Sequence, residues 1–138
     1  PLLPATARDR ARVRSLAQII SSDMQPLNSY RVCQYLQDHA RFDADQQLAW
    51  CQHWLVQGFQ SLERALSGSL VTGTYCHGDS PTLADICLVP QVFVALQCNL
   101  DLSAYPEVLR IYDECLWLDA FRQTAPDQQP DAPQANPQ

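Results

Sequence analysis

A short polar segment around Pro26 carries the side chains best suited to bind a ligand. Gln25, Asn28 and Ser29 supply amide and hydroxyl groups, and Arg31 supplies a planar, permanently charged cation. A guanidinium group recognises a carboxylate through paired hydrogen bonds. Pro26 interrupts the surrounding helical pattern, and a helix kink frees backbone groups for other contacts. The segment is therefore a candidate site for a carboxylate ligand, with a solvated helix face as the alternative for Asn28 and Ser29.

The cysteine and histidine residues do not predict a metal site. The six cysteines form no CxxC pair, and most of them lie in apolar stretches. Cys76 and His77 are adjacent, but no further ligands stand at the spacing that a metal site requires. His39 and His53 have no acid or nucleophile at a motif spacing. We expect buried free thiols in a reducing compartment and no bound metal.

A polar box opens the most apolar stretch of the chain. Thr82 can accept a hydrogen bond from the backbone N–H of Asp85, and the Asp85 carboxylate can accept one from the N–H of Thr82. Pro81 and Ile86 stand at the hydrophobic positions that flank such a box. We interpret this capping box as structural, because it satisfies donors that would otherwise be unpaired at the start of a buried helix.

Hydrophobic spacing predicts an all-α fold. Apolar residues recur at steps of three and four along two stretches, from about Ala5 to His39 and from Leu48 to Leu66. We expect the first stretch to be one long helix kinked near Ser22, because Pro26 removes a backbone donor. The two long helices could pack as an antiparallel pair around a shared core.

Cap and turn residues bound the remaining helices. Asp43 or Asp45 can cap the second helix, which closes near Gly68. The stretch from Leu83 to Gln97 is apolar almost all round, so we expect this helix in the middle of a bundle. Pro106 suits the first turn of a further helix, and a short last helix follows it.

The composition is that of one helical domain with a polar tail. Of 138 residues, 46% are hydrophobic and 17% charged, which is sufficient for a packed core. We assign residues 1–125 to this domain. Residues 126–138 hold only proline, glutamine, aspartate, alanine and asparagine, so we expect a tail that is disordered or lies along the surface. The start at Pro1, without methionine, favours the middle of a longer chain, although removal of an initiator methionine would give the same start.

The net charge of the chain limits the kinds of partner that it is expected to bind. A net charge of −6 argues against nucleic acid or an anionic membrane. Arg8, Arg10, Arg12 and Arg14 do not form one basic face, because a two-residue step on a helix sends alternate side chains to opposite sides. We expect them to be a solvated helix start. No apolar run approaches the roughly 20 residues of a membrane span, and we expect a soluble protein.

Six segments of this chain resemble the C-terminal domain of glutathione transferases. Within this family they resemble the zeta class, which contains the maleylacetoacetate and maleylpyruvate isomerases. In that domain a Ser/Thr-x-x-Asp box opens the core helix, as Thr82 and Asp85 do here. The segment Leu88-Val89-Pro90-Gln91 points to the zeta class. The segments that carry the resemblance are Pro1 to Pro4, Arg10 to Arg14, Gln25 to Asn28, Pro81 to Gln91, Asp101 to Pro106 and Gln129 to Ala132.

The resemblance implies a glutathione transferase C-terminal-like helical bundle in a two-domain, cytoplasmic subunit of a homodimer. A thioredoxin-like N-terminal domain, absent from this chain, would hold most of the glutathione site and the Ser-Ser-Cys motif that activates the thiol. We therefore expect no catalytic residue in this chain and no activity of the chain alone. The resemblance also implies that Gln25, Asn28, Ser29 and Arg31 contact glutathione or substrate, and that Asp23 faces the amino end of glutathione.

One position departs from the zeta pattern. Zeta isomerases carry an arginine on the core helix that is thought to hold a substrate carboxylate, and Gln97 stands at that position here. We expect Arg31 and Gln97 to contact the substrate, an unsaturated diacid whose double bond isomerises by reversible addition of the glutathione thiolate. The neutral Gln97 leaves other glutathione reactions open, namely conjugation, peroxide reduction or dehalogenation. A third alternative is a non-catalytic dimerisation or interaction module.

Overall fold

Helices and the loops between them make up the part of the chain that the computed structural model describes, residues 1–132. The prediction of an all-α fold is confirmed, since the only pairing of extended backbone within this range is an isolated bridge between Thr72 and Gly78. No helix in the same range combines the length and the apolar character needed to cross a membrane. The α-helices are α1 (Ala7–Gln18), α2 (Tyr30–Ala40), α3 (Ala44–Ser67), α4 (Leu83–Gln97), α5 (Pro106–Leu116) and α6 (Asp119–Gln123).

The first predicted helix is two helices, so the expectation of one kinked helix is wrong. After α1 the backbone widens into a π-helical segment, Ile19–Met24, and the N–H of Gln25 donates to the carbonyl of Ile20, five residues back. Pro26 has no N–H with which to continue the ladder, and the chain turns. It re-enters a helix after Ser29, whose backbone is extended. The polar segment therefore forms a bend between α1 and α2.

The core lies between α1, the π-helical segment, α3, α4 and α5. Gly58 on α3 permits the closest approach, because a Cβ atom at this position would overlap the side chain of Met24 on the π-helical segment. The bend is thereby held against α3. The large, fully buried apolar residues of the core include Ile20, Met24, Leu55, Phe59, Leu62, Leu66, Leu88, Val92 and Ile111.

Helix α4 buries one face only, so the expectation that it is enclosed on every side is wrong within this chain. Leu88 and Val92 are fully buried, whereas Ile86, Val94 and Leu96 are 38–46% exposed. Helices α1 and α5 cover one side of α4. The apolar residues of the other side remain open to solvent in the residues described.

Two arginine side chains from different helices hold the loop between α3 and α4. Arg12 on α1 donates to the carbonyl of Cys76 at 2.7 Å and to Oγ1 of Thr72 at 2.8 Å. Arg110 on α5 donates to the carbonyl of Gly73 at 2.8 Å. The expectation that Arg12 is solvated is wrong. Its guanidinium group is partly buried, and this burial is the main cause that lowers its pKa. Arg12 therefore holds the loop between α3 and α4 against α1.

Helix α5 is anchored by a residue that lies far from it in sequence. The Glu63 carboxylate on α3 accepts hydrogen bonds from the backbone N–H groups of Glu107 at 3.1 Å and Val108 at 3.0 Å. These N–H groups belong to the first turn of α5, which has no preceding carbonyl partner. Glu63 therefore supplies the cap that the flanking Tyr105 does not.

The chain beyond α6 follows the surface as far as it is described. Pro126–Gln128 forms a short 3₁₀ turn, and the Gln129 side chain donates to the carbonyls of Gln123 and Ala125 at 2.9 and 3.1 Å. Residues 133–138 of the predicted tail lie outside the described residues.

Candidate functional site

Two side chains attach the bend between α1 and α2 to α3 through hydrogen bonds. Nε1 of Trp50 donates to the carbonyl of Leu27 at 2.9 Å, and Nδ2 of Asn28 donates to the carbonyl of Cys51 at 3.3 Å. Ser29 turns inward and donates to the carbonyl of Pro26 at 2.8 Å. These three hydrogen bonds hold the backbone of the bend in place.

Asn28 keeps one acceptor free. Its Oδ1 atom is buried and has no hydrogen-bond partner within residues 1–132. A buried polar atom without a partner destabilises a fold unless a ligand or water satisfies it. Asn28 therefore carries a buried, unused acceptor beside its contact with the carbonyl of Cys51.

Asp23 lies at a groove between the π-helical segment and α3. The groove has a volume of about 350 Å³. Asp23 is exposed there, and Nε1 of Trp54 is a buried donor with no partner in the described range. An acidic group and an unsatisfied donor at the same groove suit a ligand that carries both an ammonium and a carbonyl group. The groove is lined by Ile19, Ser22, Asp23, Pro26, Leu27, Trp54, Gln57, Gly58 and Ser61.

Gln25 and Arg31 are exposed on either side of this bend. Arg31 makes no side-chain hydrogen bond or ion pair with any residue in 1–132, so its charge is available to a ligand. It stands two positions before Cys33, and two residues on a helix are about 200° apart. Because Cys33 faces α3, Arg31 faces away from that helix.

Gln97 is the last residue of α4 and is exposed. The next residue, Cys98, accepts a hydrogen bond at its carbonyl from Nε2 of Gln52 on α3 at 2.8 Å. Gln52 neighbours Cys51, the contact of Asn28. The structure thus places the end of α4 and the bend on the same stretch of α3, but it gives Gln97 and Arg31 no contact in common.

Thr82 and Asp85 form the cap at the start of α4, in which the N–H of Asp85 donates to the carbonyl of Thr82 at 3.1 Å and not to its hydroxyl. Asp85 is fully buried, and its Oδ2 accepts hydrogen bonds from the backbone N–H and the hydroxyl of Thr82, both at 2.7 Å. Its Oδ1 accepts a third, from the backbone N–H of Cys76 at 2.8 Å. The sequence gives no sign of this third bond, which joins the cap to the loop that Arg12 and Arg110 hold.

Burial makes several cysteine thiols in the described range poor nucleophiles. Burial raises the pKa of Cys115 to about 12 and, with neighbouring thiols, that of Cys51 to about 12. Burial, together with Asp85, raises the pKa of Cys76 further. Since thiolates are the reactive form, these thiols rarely ionise at neutral pH and are weak nucleophiles toward an external reagent. No cluster of three or more histidine, cysteine or acidic residues in 1–132 is arranged to hold a metal ion.

No family model matches the chain, but solved structures do. It is 43% identical, with a TM-score of 0.94, to the holo structure of a maleylpyruvate isomerase, a bacterial glutathione S-transferase of the zeta class; the match covers 96% of this chain and 62% of that one. A maleylacetoacetate isomerase from Methylobacterium extorquens AM1, solved with bound malonate and glutathione, is 38% identical, with a TM-score of 0.94 and the same coverages.

A maleylpyruvate isomerase from Pseudomonas aeruginosa PAO1 is 33% identical, with a TM-score of 0.90, and the chain covers 69% of its length. Against the curated relatives it matches, the chain spans 50–62% of their length. Sequence identity and backbone agreement extend together over nearly all of the described chain. The chain therefore belongs to the zeta class of glutathione transferases, the family of the maleylacetoacetate and maleylpyruvate isomerases, and corresponds to their C-terminal part.

Proposed function

We propose that this chain is the helical part of a glutathione-dependent cis–trans isomerase that acts on an unsaturated diacid such as maleylacetoacetate or maleylpyruvate. The observation that carries the proposal is the match to zeta-class isomerases over 96% of the chain. We further propose that the subunit works as a cytoplasmic homodimer.

The groups around the bend fit glutathione, whose ends are an ammonium and carboxylates joined by amides. Asn28 offers an unsatisfied acceptor to an amide N–H, and Asp23 offers a carboxylate to the ammonium group. Gln25 and Ser29 add polar groups beside them. Arg31 offers an unpaired guanidinium to a carboxylate. When bound, glutathione supplies the thiolate that adds reversibly to the double bond of the substrate.

Arg31 and Gln97 are proposed to bind the carboxylates of the substrate. Both are exposed, and neither is committed to another side chain in the described range. Gln97 can donate a hydrogen bond from its amide but carries no charge. The chain therefore offers one fixed positive charge to a diacid at these two positions, and the second carboxylate is held by a neutral group.

A chimera tests this function directly. In the Pseudomonas aeruginosa maleylpyruvate isomerase, the region matched by this chain is replaced by the chain itself. We expect the chimera to isomerise maleylpyruvate or maleylacetoacetate only when glutathione is present, and to elute as a dimer. The 138-residue chain alone is the control, and we expect it not to exceed the uncatalysed rate.

The chimera also separates the alternatives. An Arg31→Gln substitution should raise the KM for the diacid at least severalfold, whereas Arg41→Gln, an exposed arginine that ends the same helix, should not. A folded, dimeric chimera that leaves both diacids unchanged would refute the isomerase proposal. If it instead conjugated glutathione to a neutral electrophile or reduced a peroxide, the neutral Gln97 would indicate another reaction of the same scaffold.

A further inference from the structure

Three cysteine side chains, one on α2, one on α3 and one directly after α4, lie close together beneath the bend between α1 and α2. Sγ of Cys33 on α2 lies 4.0 Å from Sγ of Cys51 on α3. Cys98, which follows α4, is close enough to influence the pKa of Cys51 as well. All three are free and half-buried. Nothing in the proposed isomerisation uses these thiols.

We propose that Cys33 and Cys51 form a redox modification site, at which a small disulfide such as glutathione disulfide is reduced while the two thiols become an internal disulfide. A disulfide needs an S–S distance of about 2.05 Å, so the two sulfur atoms must approach by about 2 Å. Side-chain rotation with a small shift of α2 provides this movement. Helix α2 can shift because it contains no buried residue.

The reaction proceeds as two exchanges. In the first, Cys33 loses its proton and attacks one sulfur of glutathione disulfide, which forms a Cys33–glutathione mixed disulfide and releases one glutathione. In the second, the Cys51 sulfur attacks Sγ of Cys33, the mixed disulfide breaks, and the second glutathione leaves. The two cysteines are oxidised, the glutathione disulfide is reduced, and the two protons from the protein thiols end on the two glutathione molecules.

Geometry and acidity together assign the order of attack. Burial and the neighbouring thiols hold the pKa of Cys51 at about 12, so Cys51 stays protonated at neutral pH. Cys33 lies on α2, which has no buried residue, whereas Cys51 lies on α3, which packs into the core, so Cys33 makes the first attack on an external disulfide. Cys51 acts second, when the mixed disulfide is already beside it and the reaction is intramolecular.

The internal disulfide would fix the segment that carries the proposed ligand contacts. Asn28 donates to the carbonyl of Cys51, and the Cys33 thiol points toward the carbonyl of Asn28 at 3.9 Å. A covalent link between Cys33 and Cys51 therefore closes a ring around the bend. The oxidised chain should hold α2 against α3 more firmly than the reduced chain. The modification does not require the isomerase activity, and it can be tested without it.

Thiol counting and peptide mapping test the site. After incubation with glutathione disulfide in excess over glutathione, we expect the chain to fall from its six free thiols to four, with a dithiothreitol-reversible Cys33–Cys51 link found by mass spectrometry. Cys33→Ser and Cys51→Ser should each abolish the internal link. Cys87→Ser is the matched control, because Cys87 is also half-buried but has no thiol that influences its pKa.

Limited trypsin digestion tests the conformational consequence. Oxidation should slow cleavage after Arg31 and Arg41, which bracket most of α2, at least severalfold, while cleavage after the distant Arg122 is unchanged. The Tm should rise by about 5–10 °C. Retention of six thiols, a stable glutathione adduct without the internal link, or pairing of Cys51 with Cys98 instead would overturn the proposal. Cys33→Ala, assayed beside Cys33→Ser, separates loss of the link from a folding defect.

Discussion

Replacing Asp85 by alanine should destabilise the fold far more than the loss of an ordinary helix cap. The carboxylate is fully buried and accepts three hydrogen bonds, from the N–H and the hydroxyl of Thr82 and from the N–H of Cys76. The hydroxyl can turn to another partner, but the two backbone N–H groups cannot. Asp85→Ala therefore strands two buried donors at the junction of the cap and the loop.

The expected loss follows from these contacts. A stranded buried donor costs roughly 1–3 kcal/mol, so two cost roughly 2–6 kcal/mol. Removing a buried charge recovers part of this cost, since that charge had to be desolvated. We expect a net loss of about 3 kcal/mol in the free energy of unfolding, or a Tm lower by about 10 °C for a domain of this size.

Urea denaturation and amide hydrogen exchange measure the effect. Asp101→Ala is the control, because Asp101 is an exposed aspartate that accepts a backbone N–H, that of Ser103 at 2.9 Å; it should cost less than about 1 kcal/mol. Asp85→Asn, which keeps one carbonyl oxygen, should cost about half as much as Asp85→Ala. A loss below about 0.5 kcal/mol for Asp85→Ala, with no faster exchange of the Cys76 amide, would refute the reasoning.

Three further predictions concern the loop, the acid limit of stability and the substrate. Arg12→Gln should cost about 2 kcal/mol in urea denaturation, because it removes the charged donor to the loop, while Arg8→Gln at an exposed position should cost almost nothing; equal losses would contradict the loop assignment. A hydrogen bond from Arg110 lowers the pKa of Glu107. The stability that this ion pair contributes is therefore fully present above the ordinary pKa of glutamate. It is lost as the pH falls from that pKa through the lower pKa of Glu107 in the folded chain. Glu107→Gln should flatten the acid side of a Tm-against-pH curve, and an unchanged curve would argue against this pair. In the chimera, Gln97→Arg should lower the KM for a diacid severalfold with a smaller change in kcat, and an equal gain for a neutral electrophile would show that Gln97 does not face the substrate.

Local signals in the sequence were sufficient for most helix boundaries. Asp43 caps α3, Gly68 closes it, and Pro106 opens α5, as their residue types predict. These features depend on backbone groups within one helical turn, so a few adjacent residues determine them. The family assignment also came from segments that are contiguous in sequence, above all the box at Thr82 and the residues that follow it.

The sequence could not locate the end of the first helix. Pro26 signalled an interruption, but the helix changes to π-helical geometry several residues earlier. That change is accommodated by the packing of Met24 against Gly58, and no local pattern records a partner that is more than thirty residues away. The bend that follows combines this packing with Pro26, which has no N–H to continue the helix.

The sequence by itself determined the helical class, the family and the residue types offered to a ligand, because periodicity, caps and contiguous motifs are written along the chain. Only the tertiary structure decided which polar residues make structural contacts between distant parts of the chain. Arg12 reaches the loop across more than sixty residues, and Glu63 caps a helix that begins more than forty residues later. The tertiary structure likewise brings Cys33 beside Cys51. Such contacts depend on how helices pack against one another, and packing brings together side chains whose separation along the chain carries no signal.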